Sequence, residues 1–131
     1  MFAHMARRSR GHAYTPNADA YVDAENARII VRVDVAGADR ESLKIAAEDR
    51  ALFITGIRPL PQPMRSASCL LKEIEYGAFE RKIHLPFAID PEQAFAHYED
   101  GMLTLELVAA GDDMPTPIRT EIQLVFRRTT R

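Results

Sequence analysis

The side chains best suited to chemistry here are four histidines, some paired acids, one cysteine and one arginine set in an apolar run. His4, His12, His84 and His97 share no spacing that would seat a metal ion. Glu99-Asp100 and Asp112-Asp113 place carboxylates side by side. Acid–base catalysis needs them held apart across a cleft, so adjacent acids read as turns facing water. Ser66, Ser68 and Cys69 lie in a proline-bounded stretch with no nucleophile-elbow motif. Arg7-Arg8-Ser9-Arg10 could touch phosphates, but a run of this length reads as a solvated arm. None of these groups builds an active site, so the reading is a protein without catalytic residues, cofactor or metal.

Arg81 is different. In Phe79-Glu80-Arg81-Lys82-Ile83-His84-Leu85 it alternates onto the apolar face with Phe79, Ile83 and Leu85. A buried guanidinium must meet carboxylates or carbonyls, because leaving it unpaired is very costly. The other reading is an arginine snorkelling at a rim.

The elements that would position Arg81 are strands. Ile29, Val31, Val33 and Val35 share one face of a run whose other face carries Ile30, Arg32 and Asp34. Leu43, Ile45 and Ala47 mark a second run, and Leu52 and Ile54 a third that ends at Gly56. A short strand is expected over residues 94–98. The turn Glu99-Asp100-Gly101 then leads into Leu103, Leu105 and Leu107, which face one way. Asp-Gly between alternating runs signals a hairpin. Many short strands with frequent turns and no amphipathic helix indicate an all-β sandwich.

Residues 57–75 form a long connection. Pro59, Pro61 and Pro63 bar regular pairing in its first half, while Ser66 to Lys72 could form a short strand. Residues 1–17 read as an arm with sticky points at Phe2, Met5 and Tyr14, residues 18–108 as the domain, and 109–131 as an extension.

The chain has 131 residues, 47% apolar and 27% charged, with a formal net charge of -2. This is ordinary for a soluble single domain and does not favour nucleic acid. Arginine outnumbers lysine, which occurs only at Lys44, Lys72 and Lys82. Cys69, the single cysteine, excludes an intramolecular disulfide. No apolar run reaches the roughly 20 residues a membrane span needs, and no secretory h-region follows the basic start. A reducing cytoplasm is the expected location.

Three motifs in order then carry a resemblance. Ala96-His97-Tyr98-Glu99-Asp100-Gly101-Met102-Leu103 fits A-x-x-x-(N/D)-G-x-L. Tyr76-Gly77-Ala78-Phe79-Glu80-Arg81 is followed by Leu85-Pro86 and Ile89-Asp90. Val33-Asp34-Val35-Ala36-Gly37 precedes Leu43-Lys44-Ile45 and Leu52-Phe53-Ile54-Thr55-Gly56. Over about residues 16–108 the chain resembles the α-crystallin domain of small heat-shock proteins. Ala36 replaces the family's usual proline, Leu107-Val108-Ala109 replaces its L-P-K, and the N-terminal arm is short.

The resemblance implies an immunoglobulin-like β-sandwich and an ATP-independent holdase that binds partly unfolded clients. It implies a homodimer, extending to larger oligomers, in which the long loop pairs with the partner's sheet. Ser66, Cys69, Leu70, Leu71, Glu73 and Glu75 would then lie at the dimer interface with Arg81, and Glu73 or Glu75 could pair it. A disordered loop is the alternative. Ile122-Gln123-Leu124 matches the family's C-terminal I-x-I/V motif. Its implied groove lies between the strand of Leu43, Ile45 and Ala47 and the strand near Phe95. The alternative is a last strand of the chain's own sandwich. The competing function is a CS-domain co-chaperone module, which lacks both loop and tail motif; a sugar-binding or enzymatic sandwich is a third reading, and the absence of tryptophan argues against sugar stacking.

Overall fold

The structure, a computed structural model, describes residues 13–111 and 119–126. Phe2, Met5, His4, His12 and Asp112-Asp113 lie outside them.

Period-two alternation becomes two stacked sheets. The strands are β1 (Ala18–Asp23), β2 (Arg28–Asp34), β3 (Lys44–Glu48), β4 (Ala51–Arg58), β5 (Gly77–His84), β6 (Phe95–Glu99), β7 (Met102–Val108), β8 (Thr120–Glu121) and β9 (Leu124–Phe126). One sheet runs in the order β1-β2-β7-β6-β9, the other β5-β4-β3-β8. The described ladders within them are antiparallel except β6 with β9, which is parallel.

The inner faces are those the alternation marks. Ile29, Val31 and Val33 of β2 and Leu103, Leu105 and Leu107 of β7 are fully buried, opposite Ile45, Leu52, Ile54 and Phe79 of the other sheet. Burying each such side chain stabilises by roughly 1.5–3 kcal/mol, so this layer is the main source of cohesion. The β6–β7 hairpin closes on Asp100 (φ 54°) and Gly101 (φ 81°). Two left-handed residues are what a type I′ turn requires, and Asp-Gly supplies them with least strain. In the middle of β4, Gly56 faces Phe79 across the ladder and leaves room for its ring.

Two segments outside the main ladders bear on the site. Ser66 to Lys72 forms no strand within the chain; the loop between β4 and β5 has instead a single short helix, Gln62–Arg65, with Pro63 in its first turn. A proline there sacrifices no intrahelical hydrogen bond. Residues 14–17, read as part of an arm, are tied down. Tyr14 N–H donates to Ala78 O and Tyr14 O accepts from Glu80 N–H, while Asn17 O accepts from Asp34 N–H. Pro16 is buried. Sequence periodicity misses such a segment because one bridged residue has no period.

Candidate functional site

A sandwich has two open sides, each flanked by the edge strands of both sheets. Here a terminal segment crosses each side. On the first, residues 14–18 pass from the edge of β5 into β1, with Tyr14 in a parallel bridge to Phe79. On the second, residues 120–126 pass from β3 to β6.

The second side holds the tail motif. β8 pairs with β3 at Ala46 and Ala47, and Ile122 N–H donates to Ile45 O at 2.9 Å. Ile122 is only 3% exposed and joins the core with Leu43, Ile45 and Ala47. The chain then changes sheets. Leu124, Val125 and Phe126 lie beside Ala96, His97 and Tyr98. Leu124 packs against the core over the buried Ala96. Phe126 meets Tyr98 with ring centroids 5.7 Å apart and an interplanar angle of 58°. The Arg40 guanidinium stands 5.5 Å from the Tyr98 ring and 5.8 Å from the Phe126 ring. Within the chain the tail thus lies along β3 and then β6, as a last strand of its own sandwich.

Phe95 is the residue misplaced within the expected groove. Ala96 pairs with Leu105 and turns inward, so Phe95 falls on the outer face, beside His97 at a centroid distance of 5.5 Å. The β6 side of the groove is Ala96 and Tyr98. His97 is half-buried, and its Nδ1 is enclosed without a hydrogen-bond partner.

The first side holds Arg81. It lies on the inner face of β5, partly buried, beyond the fully buried Phe79. Its Nη1 donates to Pro16 O at 3.3 Å, while its Nε is buried without a partner. Within the chain it therefore meets a carbonyl, and not Glu73 or Glu75. Burial raises the Tyr14 phenol above its ordinary pKa, with the carboxylates of Glu75 and Asp34 adding to this and Arg58 opposing it. The Tyr14 ring packs on Phe79 at 5.5 Å and under the Arg58 guanidinium at 5.2 Å. Arg58 also donates from Nε to Ala36 O at 2.7 Å and from Nη1 to Glu75 O at 3.0 Å. It therefore pins the two ends of the long loop to one another and to Tyr14.

Beyond that neck the loop is uncovered. Leu70 is 100% exposed, and Leu71, Ile74 and Met64 are also exposed. Ser66, Glu73 and Glu75 are exposed too, as is Cys69, whose thiol points to Leu71 O at 3.5 Å.

This arrangement of two short-edged sheets, a docked C-terminal strand and a long loop before the arginine strand has relatives. The model of the Hsp20/alpha crystallin family matches residues 21–123. The chain belongs to that family. Among curated relatives, 18 kDa antigen 1 of Mycobacterium avium is 35% identical over 80 residues, 61% of this chain and 53% of that protein. Small heat shock protein C4 of Rickettsia felis is 26% identical over 77 residues, 59% of this chain and 47% of that protein. The chain thus matches about half the length of these two. The fold is shared with hspA from Xanthomonas axonopodis (TM-score 0.64, 20% identity, 75% of this chain and 96% of that one). It is shared as well with a small heat-shock protein from Xylella fastidiosa (TM-score 0.63, 20% identity, 83% and 98%). The α-crystallin sandwich read from the motifs is therefore the fold of this chain.

Tyr98 enters the sequence reading only as part of a motif, and Arg40 and Arg58 do not enter it. Phe126 had a signal, since Ile122, Leu124 and Phe126 continue one alternation. Arg40 and Arg58 had none, because each acts across elements distant in the chain.

Proposed function

We propose that the protein is an ATP-independent holdase that binds partly unfolded proteins and prevents their aggregation, acting in the cytoplasm as a strand-exchanged dimer. The observation that carries this is the loop between β4 and β5, with Leu70, Leu71, Ile74 and Met64 exposed beyond the Arg58 neck. Clustered exposed apolar groups mark interaction surfaces. The strands β1 and β5 lie at the edges of their sheets. In the dimer, Ser66 to Lys72 of one copy would extend along such an edge of the other. The bare Nε of Arg81 would then gain an acceptor, with Glu73 or Glu75 of the exchanged loop in reach. Tails released from their groove would join dimers into larger assemblies, and the N-terminal Phe2 and Met5 would add to client contact. The loop and the docked tail favour this reading over a CS-domain module.

Light scattering of several heat-labile client proteins, without nucleotide and at rising molar ratios, tests the proposal. Suppression that grows with the ratio is expected. Unchanged aggregation at several-fold excess, for all clients, would exclude a holdase.

A further inference from the structure

The groove is wider than a two-residue motif needs. Ile122 and Leu124 occupy two positions, and a third lies further along β6, where Tyr98 and Arg40 meet Phe126. Tyr98 is 8% exposed, so this ring is a fixed part of the wall, while Phe126 retains 40% exposure and closes the mouth. The geometry serves an aromatic occupant. Tilted ring pairs at this separation gain beyond their buried area, and a guanidinium over an aromatic face adds to them. An aliphatic side chain would gain only area. The site is also directional: the parallel register Ala96 with Leu124 and Tyr98 with Phe126 puts the third side chain at the socket only when the strand runs with β6.

We propose that Tyr98 and Arg40 form a third, aromatic-selecting subsite of the tail groove. This makes the groove specific for an extended apolar-x-apolar-x-aromatic strand parallel to β6, and its occupant is residues 122–126 of this chain. The subsite reserves the groove for the chain's own tail and against client segments that carry only two apolar residues. Clients must then be bound elsewhere, on the loop side. The inference deepens the reading of residues 120–126 as a docking tail, and the test below separates it from their role in assembly.

Hydrogen exchange of the full chain, followed by mass spectrometry over Phe95–Glu99, reads the docking directly. Phe126→Ala should speed exchange of the β6 amides that face β9 by about tenfold, the ratio equivalent to 1.4 kcal/mol. Arg40→Ala should act in the same direction, and the double variant should fall short of the product of the two, because each removes the other's partner. Val125→Thr, on the opposite face of β9, should leave exchange unchanged, and Phe126→Tyr should retain protection better than Phe126→Leu. Unchanged exchange in Phe126→Ala, equal protection by Leu and Tyr, or strictly multiplicative effects of Arg40 and Phe126 would overturn the subsite. Solution mass is read on the same samples. Faster exchange with unchanged mass supports the subsite and counts against the tail as an assembly segment.

Discussion

A Cβ atom on Gly56 would stand 2.4 Å from Cζ of Phe79, closer than real carbon atoms approach. The two residues are register partners in the β4–β5 ladder, and Phe79 is buried on all sides. Gly56→Ala should therefore overpack the core and destabilise by about 1–3 kcal/mol. A domain of about 100 residues loses roughly 4–8 °C of melting temperature per kcal/mol. Adding Phe79→Leu should restore part of that loss, since it removes the ring atoms that clash. A thermal melt unchanged in Gly56→Ala would show that β4 and β5 can shift apart freely.

Tyr14 offers a test of the edge contact. Its hydroxyl is buried with no hydrogen-bond partner, so Tyr14→Phe should be neutral or slightly stabilising. The phenol's folded pKa is raised above its ordinary 10.0, first by burial. Folding then favours the protonated form. Its contribution is complete below pH 10.0 and is lost as pH rises through the folded value. Denaturant melts from pH 9 to 11 should show an alkaline loss in the unmutated protein that shrinks in Tyr14→Phe.

Arg81→Leu keeps an apolar stem beside Phe79 and removes every donor. If the arginine serves only Pro16 O, the change should cost about 1 kcal/mol or less of domain stability. If it also binds the partner's loop, the dimer should weaken by about tenfold or more, as 1.4 kcal/mol implies. Sedimentation across a dilution series distinguishes these outcomes. An unchanged dissociation constant would confine Arg81 to the contact with residue 16.

Replacing residues 59–74 with a short Gly-Ser link should leave the sandwich intact. The removed side chains Leu70, Leu71 and Ile74 are exposed, and shortening a surface loop has a small thermodynamic effect. The expected product is a folded monomer with a similar melting temperature. Retention of a dimer of unchanged affinity would show that the copies do not pair through this loop.

For the tail, Ile122→Ala with Leu124→Ala removes the two inward side chains. Burying each contributes roughly 1.5–3 kcal/mol, offset by about 1–2 kcal/mol per residue for ordering the backbone. The net docking energy is small, and a tail that loses its anchors simply undocks. The domain's melting temperature should fall by only a few degrees, while amides of Lys44–Glu48 that face β8 exchange faster and any assembly above the dimer dissociates. A collapse of the melt would mean that Ile122 is indispensable to the core itself.

What the sequence determined by itself was local. Alternation identifies which side chains share a face, so Ile29, Val31 and Val33, Leu103, Leu105 and Leu107, and Arg81 beside Phe79 could all be assigned before any sheet was known. Asp100-Gly101 marked its hairpin because a type I′ turn needs residues that tolerate positive φ. The ordered motifs identified the family. The tertiary structure decided whatever depends on an edge. Alternation over residues 94–98 does not say whether Phe95 or Ala96 turns inward; the pairing of Ala96 with Leu105 does. Tyr14 and the tail are short extended pieces that pair only because β5, β3 and β6 would otherwise end their sheets with backbone groups to spare. Arg40, Tyr98 and Phe126 are far apart in sequence, and only the crossing of the tail from one sheet to the other brings a cation and two rings within reach of each other.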